Sequence, residues 1–282
     1  MDPIERNDKQ RFDHEGISDH ISYIEDLYSK SEIQIHGGHQ LFSLLSSARD
    51  VASEWARGNV EETNMNKFFC TLHVERIYSA VRLLESENNK DKYLRDLLNG
   101  SLNFFDRSIS HAKSILWELE AFAKIKKVIP DTALDEPDVV VKLNQLNIGL
   151  SCKKIFSEKG VPKVLSNAVS QIEKRHEFGI VAMNIDDMIP DSVLLKASTF
   201  DEAGDKLHAR NLDFLARHER HFNKYFMSSR IVGVLVSTSM ITDILEESPK
   251  FNNFSQWAIW TVPDLKPEHA EAVNEFRHRI IG

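Results

Sequence analysis

Asp138, Ser151 and Lys153 are the side chains of this sequence whose types and spacing could do chemistry together. A carboxylate can hold a divalent cation, and a lysine ammonium can orient water or neutralise a developing anion. The segment that carries them begins Pro137-Asp138-Val139-Val140-Val141-Lys142-Leu143 and ends Ile148-Gly149-Leu150-Ser151-Cys152-Lys153-Lys154-Ile155. Val139, Val141 and Leu143 alternate along one strand, Ile148, Leu150 and Cys152 alternate along the next, and Asn144 to Asn147 supply turn chemistry, so a β-hairpin is predicted. Alternation puts Gly149, Ser151 and Lys153 on the opposite face of the second strand. A hairpin in register then brings Asp138 beside Ser151 and Lys153. A carboxylate and a lysine in a sheet are costly to bury without a partner or a task, which marks the pair as a candidate site.

Helices before and after the hairpin must complete such a site. On the helix predicted from Ser114 to Val128, Ile115, Phe122, Ile125 and Ile129 form an apolar stripe in which Glu118 falls. Glu120 instead shares a face with Lys113, Lys124 and Lys127, so Glu118 is the odd carboxylate out. The next helix, about Lys163 to Glu177, shows Lys163, Asn167, Gln171 and Lys174 on one face, with Glu173 off it. Gly179 to Ile185 is an unbroken apolar run, as a buried central strand requires.

A helix with a Glu, then Pro137-Asp138, a strand ending in Ser151-Cys152-Lys153, a helix with Gln171 and a further strand together resemble the PD-(D/E)XK nuclease superfamily. The resemblance covers roughly residues 112 to 187. It implies a restriction-endonuclease-like core in residues 111–282, a central mixed sheet flanked by helices, preceded by a helical region in residues 1–110, an α/β (α+β) architecture overall. It further implies that Glu118, Asp138 and the Cys152 main-chain carbonyl hold Mg²⁺ or Mn²⁺, that Lys153 assists the attacking water, and that Gln171 positions Lys153 or a phosphate. Ser151 stands where the family carries its second acid. The implied activity is metal-dependent cleavage of nucleic acid, DNA foremost, in restriction or anti-phage defence. The alternative is a nuclease fold with impaired catalysis that binds nucleic acid or protein.

The remaining chain gives a scaffold. Its 282 residues are 41% hydrophobic and 28% charged, enough for one large or two modest cores. No apolar run is long enough to span a membrane, and the polar start lacks a signal-peptide core. Cys70 and Cys152 lie in different predicted elements, which points away from a disulfide framework and towards a reducing cytoplasm. The net charge of −8 argues against a protein that coats nucleic acid by positive charge, yet residues 112–181 carry 11 Lys and Arg against 9 Asp and Glu. Lys153, Lys154, Lys159 and Lys163 cluster just after the hairpin, where a phosphate backbone would approach.

Helices are expected around Ile17 to Leu27, from His39 to Arg57, from Asn64 to Glu85 and from Asp91 to Phe105, after a mobile first dozen residues. Dimer or partner contacts are the expected role of this bundle. His36 and His39 flank a Gly-Gly turn. Arg107 and His111 are spaced more closely than the Arg–His pair of helical ribonucleases and read as a surface pair. Asp186 and Asp187 read as solvated acids at a strand exit. A helix from Asp201 to Met227 carries His208, His218 and His221 without a common metal geometry. Strands at Ile231 to Val236 and Trp257 to Val262 and a last helix from Pro267 complete the prediction. Phosphate loops, Gly-x-Ser-x-Gly and Cys-x-x-Cys are absent from the sequence, which disfavours nucleotide hydrolysis, serine hydrolysis and structural zinc.

Overall fold

The computed structural model describes residues 4–10, 16–58, 64–143, 146–190, 193–228, 231–261 and 265–281. It opens with strand β1 (Ile4–Gln10), followed by helices α1 (Ile17–Lys30), α2 (Gln40–Ala56), α3 (Met65–Val81), α4 (Lys90–Leu97) and α5 (His111–Val128). Strands β2 (Thr132–Asp135), β3 (Asp138–Leu143) and β4 (Leu146–Lys154) come next, then α6 (Val161–Arg175) and β5 (Gly179–Asn184). The chain ends with β6 (Leu195–Ala197), α7 (Phe200–Ser228), β7 (Ile231–Ile244), β8 (Phe251–Thr261) and α8 (Pro267–Ile281).

All eight strands form one mixed sheet in the order β1-β8-β7-β5-β4-β3-β2, with β6 pairing β7 beyond the end of β5. β2, β3 and β4 are antiparallel neighbours, β4, β5 and β7 run parallel, and β8 and β1 return antiparallel. The α/β class with a mixed sheet between helices is therefore present. β5, the apolar run, is buried at every position. Ile180 and Ala182 enter one core, shared with α1 to α5 and α8, while Val181 and Met183 enter another beneath α6 and α7. Period-two alternation produces this split, because adjacent side chains of a strand leave on opposite faces.

Three expectations fail for physical reasons. Residues 4–10 are not a loose lead-in but an edge strand on β8; ladder pairing uses the main chain, which a polar sequence supplies as well as an apolar one. They also belong to the sheet, so a division at residue 110 does not separate helices from strands. The apolar core likewise runs without a break from Ile17 and Ile77 through Leu119 to Val139 and Phe276. The helix expected to reach Phe105 stops at Leu97. Gly100 there adopts φ +126, a conformation that L side chains rarely take. Beyond it Ser101 and Asn103 accept hydrogen bonds from the Asn103 and Phe105 main-chain N–H at 3.2 and 2.9 Å, competing with helical ones.

The hairpin forms in the expected register, with Val139 opposite Leu150 and Val141 opposite Ile148. Of its expected turn, Asn144 and Gln145 lie outside the described residues, whereas Leu146 and Asn147 already belong to β4. Gly179 sits where β5 starts against β4, and a Cβ there would run into the Gly149 carbonyl oxygen and the Ile172 side chain. Gly179→Ala is expected to lose about 1–3 kcal/mol of stability, read in denaturant melts; an unchanged midpoint would show that the strands can part there.

Candidate active site

Asp138 opens β3, one residue before the hairpin ladder begins at Val139, so its carboxylate lies at the end of the paired strands. Three donors converge on its Oδ2: the Cys152 N–H at 2.6 Å, Lys153 Nζ at 2.8 Å and Ser151 Oγ at 3.2 Å. Among the described residues no donor reaches Oδ1. The Asp138 and Lys153 side chains are only 13% and 19% exposed, so the pair is screened far less than a surface ion pair. Burial raises the Asp138 carboxyl above its ordinary range, and Lys153 with the Cys152 and Ser151 hydrogen bonds offsets part of that rise. In an extended strand the N–H and C=O of one residue face the same neighbour. The Cys152 carbonyl therefore shares the Asp138 edge with its N–H.

α5 brings Glu118 to the same place. The helix is capped by Ser110, whose hydroxyl accepts from the Lys113 N–H at 3.5 Å, and Trp117 Nε1 donates to the Ala182 carbonyl on β5 at 3.2 Å. That anchor lays α5 across the sheet. The next residue, Glu118, is half-buried and within electrostatic reach of both Asp138 and Lys153. Burial first and the Asp138 charge second push its carboxyl up to about 8, while Lys153 and Lys92 pull the other way. Among the described residues no hydrogen-bond donor serves Glu118.

From the opposite side α6 contributes Gln171, whose Oε1 lies 3.0 Å from Ser151 Oγ. Gln171 thus holds Ser151 rather than Lys153 or open solvent. It also lines a cleft of about 310 Å³ with Glu136, Lys174 and Arg175. Glu173 is exposed to solvent and does not join the site. The sequence-derived set Glu118, Asp138, Ser151, Cys152, Lys153 and Gln171 is consequently brought together around one end of the hairpin.

The sequence predicts the helix that begins at Asp91 but gives it no neighbour, and α4 packs beside α5. Tyr93 is 5% exposed and its phenol is raised by burial first, then by the charges of Glu118 and Asp138. Lys92 lies 5.0 Å over the Tyr93 ring and pairs with Asp96 at 3.1 Å. Tyr93, Leu94 and Leu97 are buried in the core where α4 docks on α5.

A separate charged cluster lies where β4 and β5 end. Asp186 and Asp187 are buried there, contrary to the reading of solvated acids. Arg76 of α3 binds Asp186 at 2.8 Å and grips Glu120 through two nitrogens; Lys154 binds Asp187 at 2.7 Å, and Lys113 reaches it at 3.2 Å. Burial alone would raise Asp186, but Lys154 and Arg76 bring it below its ordinary range. The Glu120, Lys113 face of α5 is therefore an interior ionic face turned towards α3 and the strand ends. Helical periodicity sorts residues by angle, and a charged stripe looks the same whether water or buried counter-ions cover it. Arg107 lies 4.0 Å from Asp187, whereas His111 lies 3.6 Å from Asp96, so the two are not a working pair.

The α7 histidines take structural partners too. His218 pairs with Glu158, and His208 Nδ1 lies 3.1 Å from the Gln256 amide. His36 and His39 stack at 3.7 Å. Among the described residues no three His, Cys, Asp or Glu side chains are grouped to hold a metal ion, no helix is long and apolar enough to cross a membrane, and Cys70 and Cys152 are free thiols. The donors around Asp138 are two carboxylates and a carbonyl. That all-oxygen set suits a hard cation that retains several waters. The chain matches no protein-family model, no curated protein and no solved structure.

Proposed function

We propose that this chain is a divalent-metal-dependent nuclease that hydrolyses phosphodiester bonds, with DNA as the foremost substrate. The observation that carries the reading is the meeting of Glu118 from α5, Asp138 from β3 and Lys153 from β4 around one strand end. Glu118, Asp138 and the Cys152 carbonyl would hold Mg²⁺ or Mn²⁺, which supplies charge neutralisation at the scissile phosphate and a more acidic water. Lys153, held 2.8 Å from Asp138, orients the attacking water or meets the charge on the phosphoryl oxygens. Ser151 and Gln171 fix β4 against α6 and so fix where Lys153 stands. Lys174 and Arg175 in the adjoining cleft suit a phosphate backbone. Incubation with plasmid, linear single-stranded DNA and RNA under Mg²⁺ and Mn²⁺ tests the reading, and no cleavage of any of the three would sink it.

Ser151 in place of a second acid supports another reading, a nuclease fold that binds nucleic acid without cutting it. Calorimetric titration with Mn²⁺ separates the two. A nuclease loses its cation site on Asp138→Asn, whereas a scaffold has none to lose.

Proton linkage adds a prediction. With its carboxyl at about 8, Glu118 is protonated at neutral pH and must release that proton to act as a ligand. Metal affinity is therefore expected to climb as pH rises from 6 and to level off above about 8, with up to one proton released per cation at pH 7. Calorimetry in two buffers of different ionisation enthalpy measures it; a flat profile contradicts the assignment. Stability of the metal-free chain runs the other way. A carboxyl raised on folding keeps its full stability contribution below its ordinary value of 4.5 and loses it as pH rises through about 8. Glu118→Gln should abolish that loss, read by chemical denaturation at pH 5 and pH 9.

A further inference from the structure

We propose that this chain self-associates through the outer edge of β1, two copies pairing antiparallel about a two-fold axis at Asn7 and joining their sheets into one. The inference stands apart from the nuclease reading, because β4 and β3, which carry the candidate site, lie four and five places from β1 in the sheet order.

β1 ends the sheet, and β8 is its one partner strand among the described residues. The helices nearest to it cover faces of the sheet. α8 enters one core through Val273 and Phe276, and α7 enters the other through Phe214 and Phe222. Neither supplies a strand partner to the edge. Along an extended strand the main-chain N–H and C=O of successive residues turn to opposite sides, so about half of the β1 peptide groups look away from β8. An edge of that kind is a template for another strand.

The order of charge along β1 identifies the occupant as a second copy. Residues 4–10 read Ile4-Glu5-Arg6-Asn7-Asp8-Lys9-Gln10, and the two halves are opposite in sign about Asn7. With Asn7 opposite Asn7 of the second copy, Glu5 stands across from Lys9 and Arg6 across from Asp8. Two-fold symmetry repeats both pairs, so four pairs of opposite charge form and no like charges stand directly opposite. A slip of one position sets Glu5 against Asp8 in one direction and Arg6 against Lys9 in the other. A slip of two sets Arg6 against Arg6, or Asp8 against Asp8. Like charges directly opposite destabilise a ladder, so these registers are disfavoured and the central one is selected. Charge on an edge strand ordinarily deters pairing altogether. Here its order deters the neighbouring registers and admits one. Seven residues span only about 23 Å, so a small interface and a dissociation constant on the order of 10–100 µM are expected.

Sedimentation equilibrium of the full chain should show monomers and dimers at about 50 mM salt, with association weakened about tenfold at about 500 mM. Glu5→Lys with Arg6→Asp turns all four pairs into like charges, and so does Asp8→Arg with Lys9→Glu. Each double variant alone should associate at least about 100-fold more weakly than the parent. An equimolar mixture of the two should dimerise as the parent does, because opposite charges again face each other at all four positions. A mixture that pairs also shows that both variants fold. Hydrogen exchange reads the same contact without a variant, since outward-facing amides of residues 4–10 should gain protection as the parent is concentrated. A parent that stays monomeric at about 0.3 mM in low salt overturns the proposal. Double variants that dimerise as the parent does, a mixture of variants folded by circular dichroism that stays monomeric, or exchange of residues 4–10 that ignores concentration would each overturn it as well.

Discussion

Asp138→Ala is expected to lower metal-dependent cleavage by about 1,000-fold or more, below detection in a plasmid assay. No other side chain of the site has so many dependants. Its Oδ2 accepts from Lys153, Ser151 and the Cys152 main chain at once, and its free Oδ1 is the oxygen best placed for a cation. Truncation removes a ligand, releases Lys153 from its 2.8 Å tether and leaves the Cys152 N–H without its acceptor. Asp138→Asn separates these effects, since it keeps the shape and an acceptor oxygen while removing the charge. It should fold as the parent does and still be inactive. Lys153→Ala should be inactive as well, but with cation binding retained or tightened, because the competing ammonium is gone. Cleavage that persists unchanged in Asp138→Asn would show that the chemistry lies elsewhere.

Arg76→Met should have the largest effect on stability, about 3–5 kcal/mol, or a fall in melting temperature on the order of 10 °C. Arg76 is 8% exposed and cation for two buried carboxylates, Glu120 and Asp186. Its removal leaves both acids without their guanidinium, and the burial that acts to raise Asp186 is then opposed by Lys154 without Arg76. The loss should accordingly shrink at low pH, where protonated acids need no counter-ion. Adding Glu120→Gln to Arg76→Met should recover part of the loss, since the Glu120 charge then no longer stands without its guanidinium. Chemical denaturation at pH 5 and pH 8 makes the measurement. Equal losses at both values would mean that stacking of the Arg76 guanidinium on Phe104, 4.1 Å from the ring centre, matters more than its pairing with the two acids.

The two clusters show where sequence reasoning reaches and where it stops. The hairpin pairing of Asp138 with Ser151 and Lys153 follows from alternation and register, both local properties of about 18 residues. Glu118 is legible as an acid set in an apolar stripe, and β5 as an apolar run. Asp186, Asp187 and Glu120 are acids next to polar neighbours, and nothing along the chain distinguishes a solvated acid from one facing Arg76, which is 110 residues from Asp186.

By itself, then, the sequence determined much of the local structure: the helices between Ile17 and Leu97, the hairpin that joins a carboxylate to a lysine, and the parallel strand beside it. Those outcomes depend on side-chain periodicity and on turn chemistry, which act over a few residues. Only the tertiary structure decided that residues 4–10 complete the sheet, that Gln171 holds Ser151, and that an ionic cluster lies under α3. Each depends on a partner dozens of residues or more away, chosen by main-chain pairing or by charge compensation on burial, and neither leaves a periodic trace in the chain.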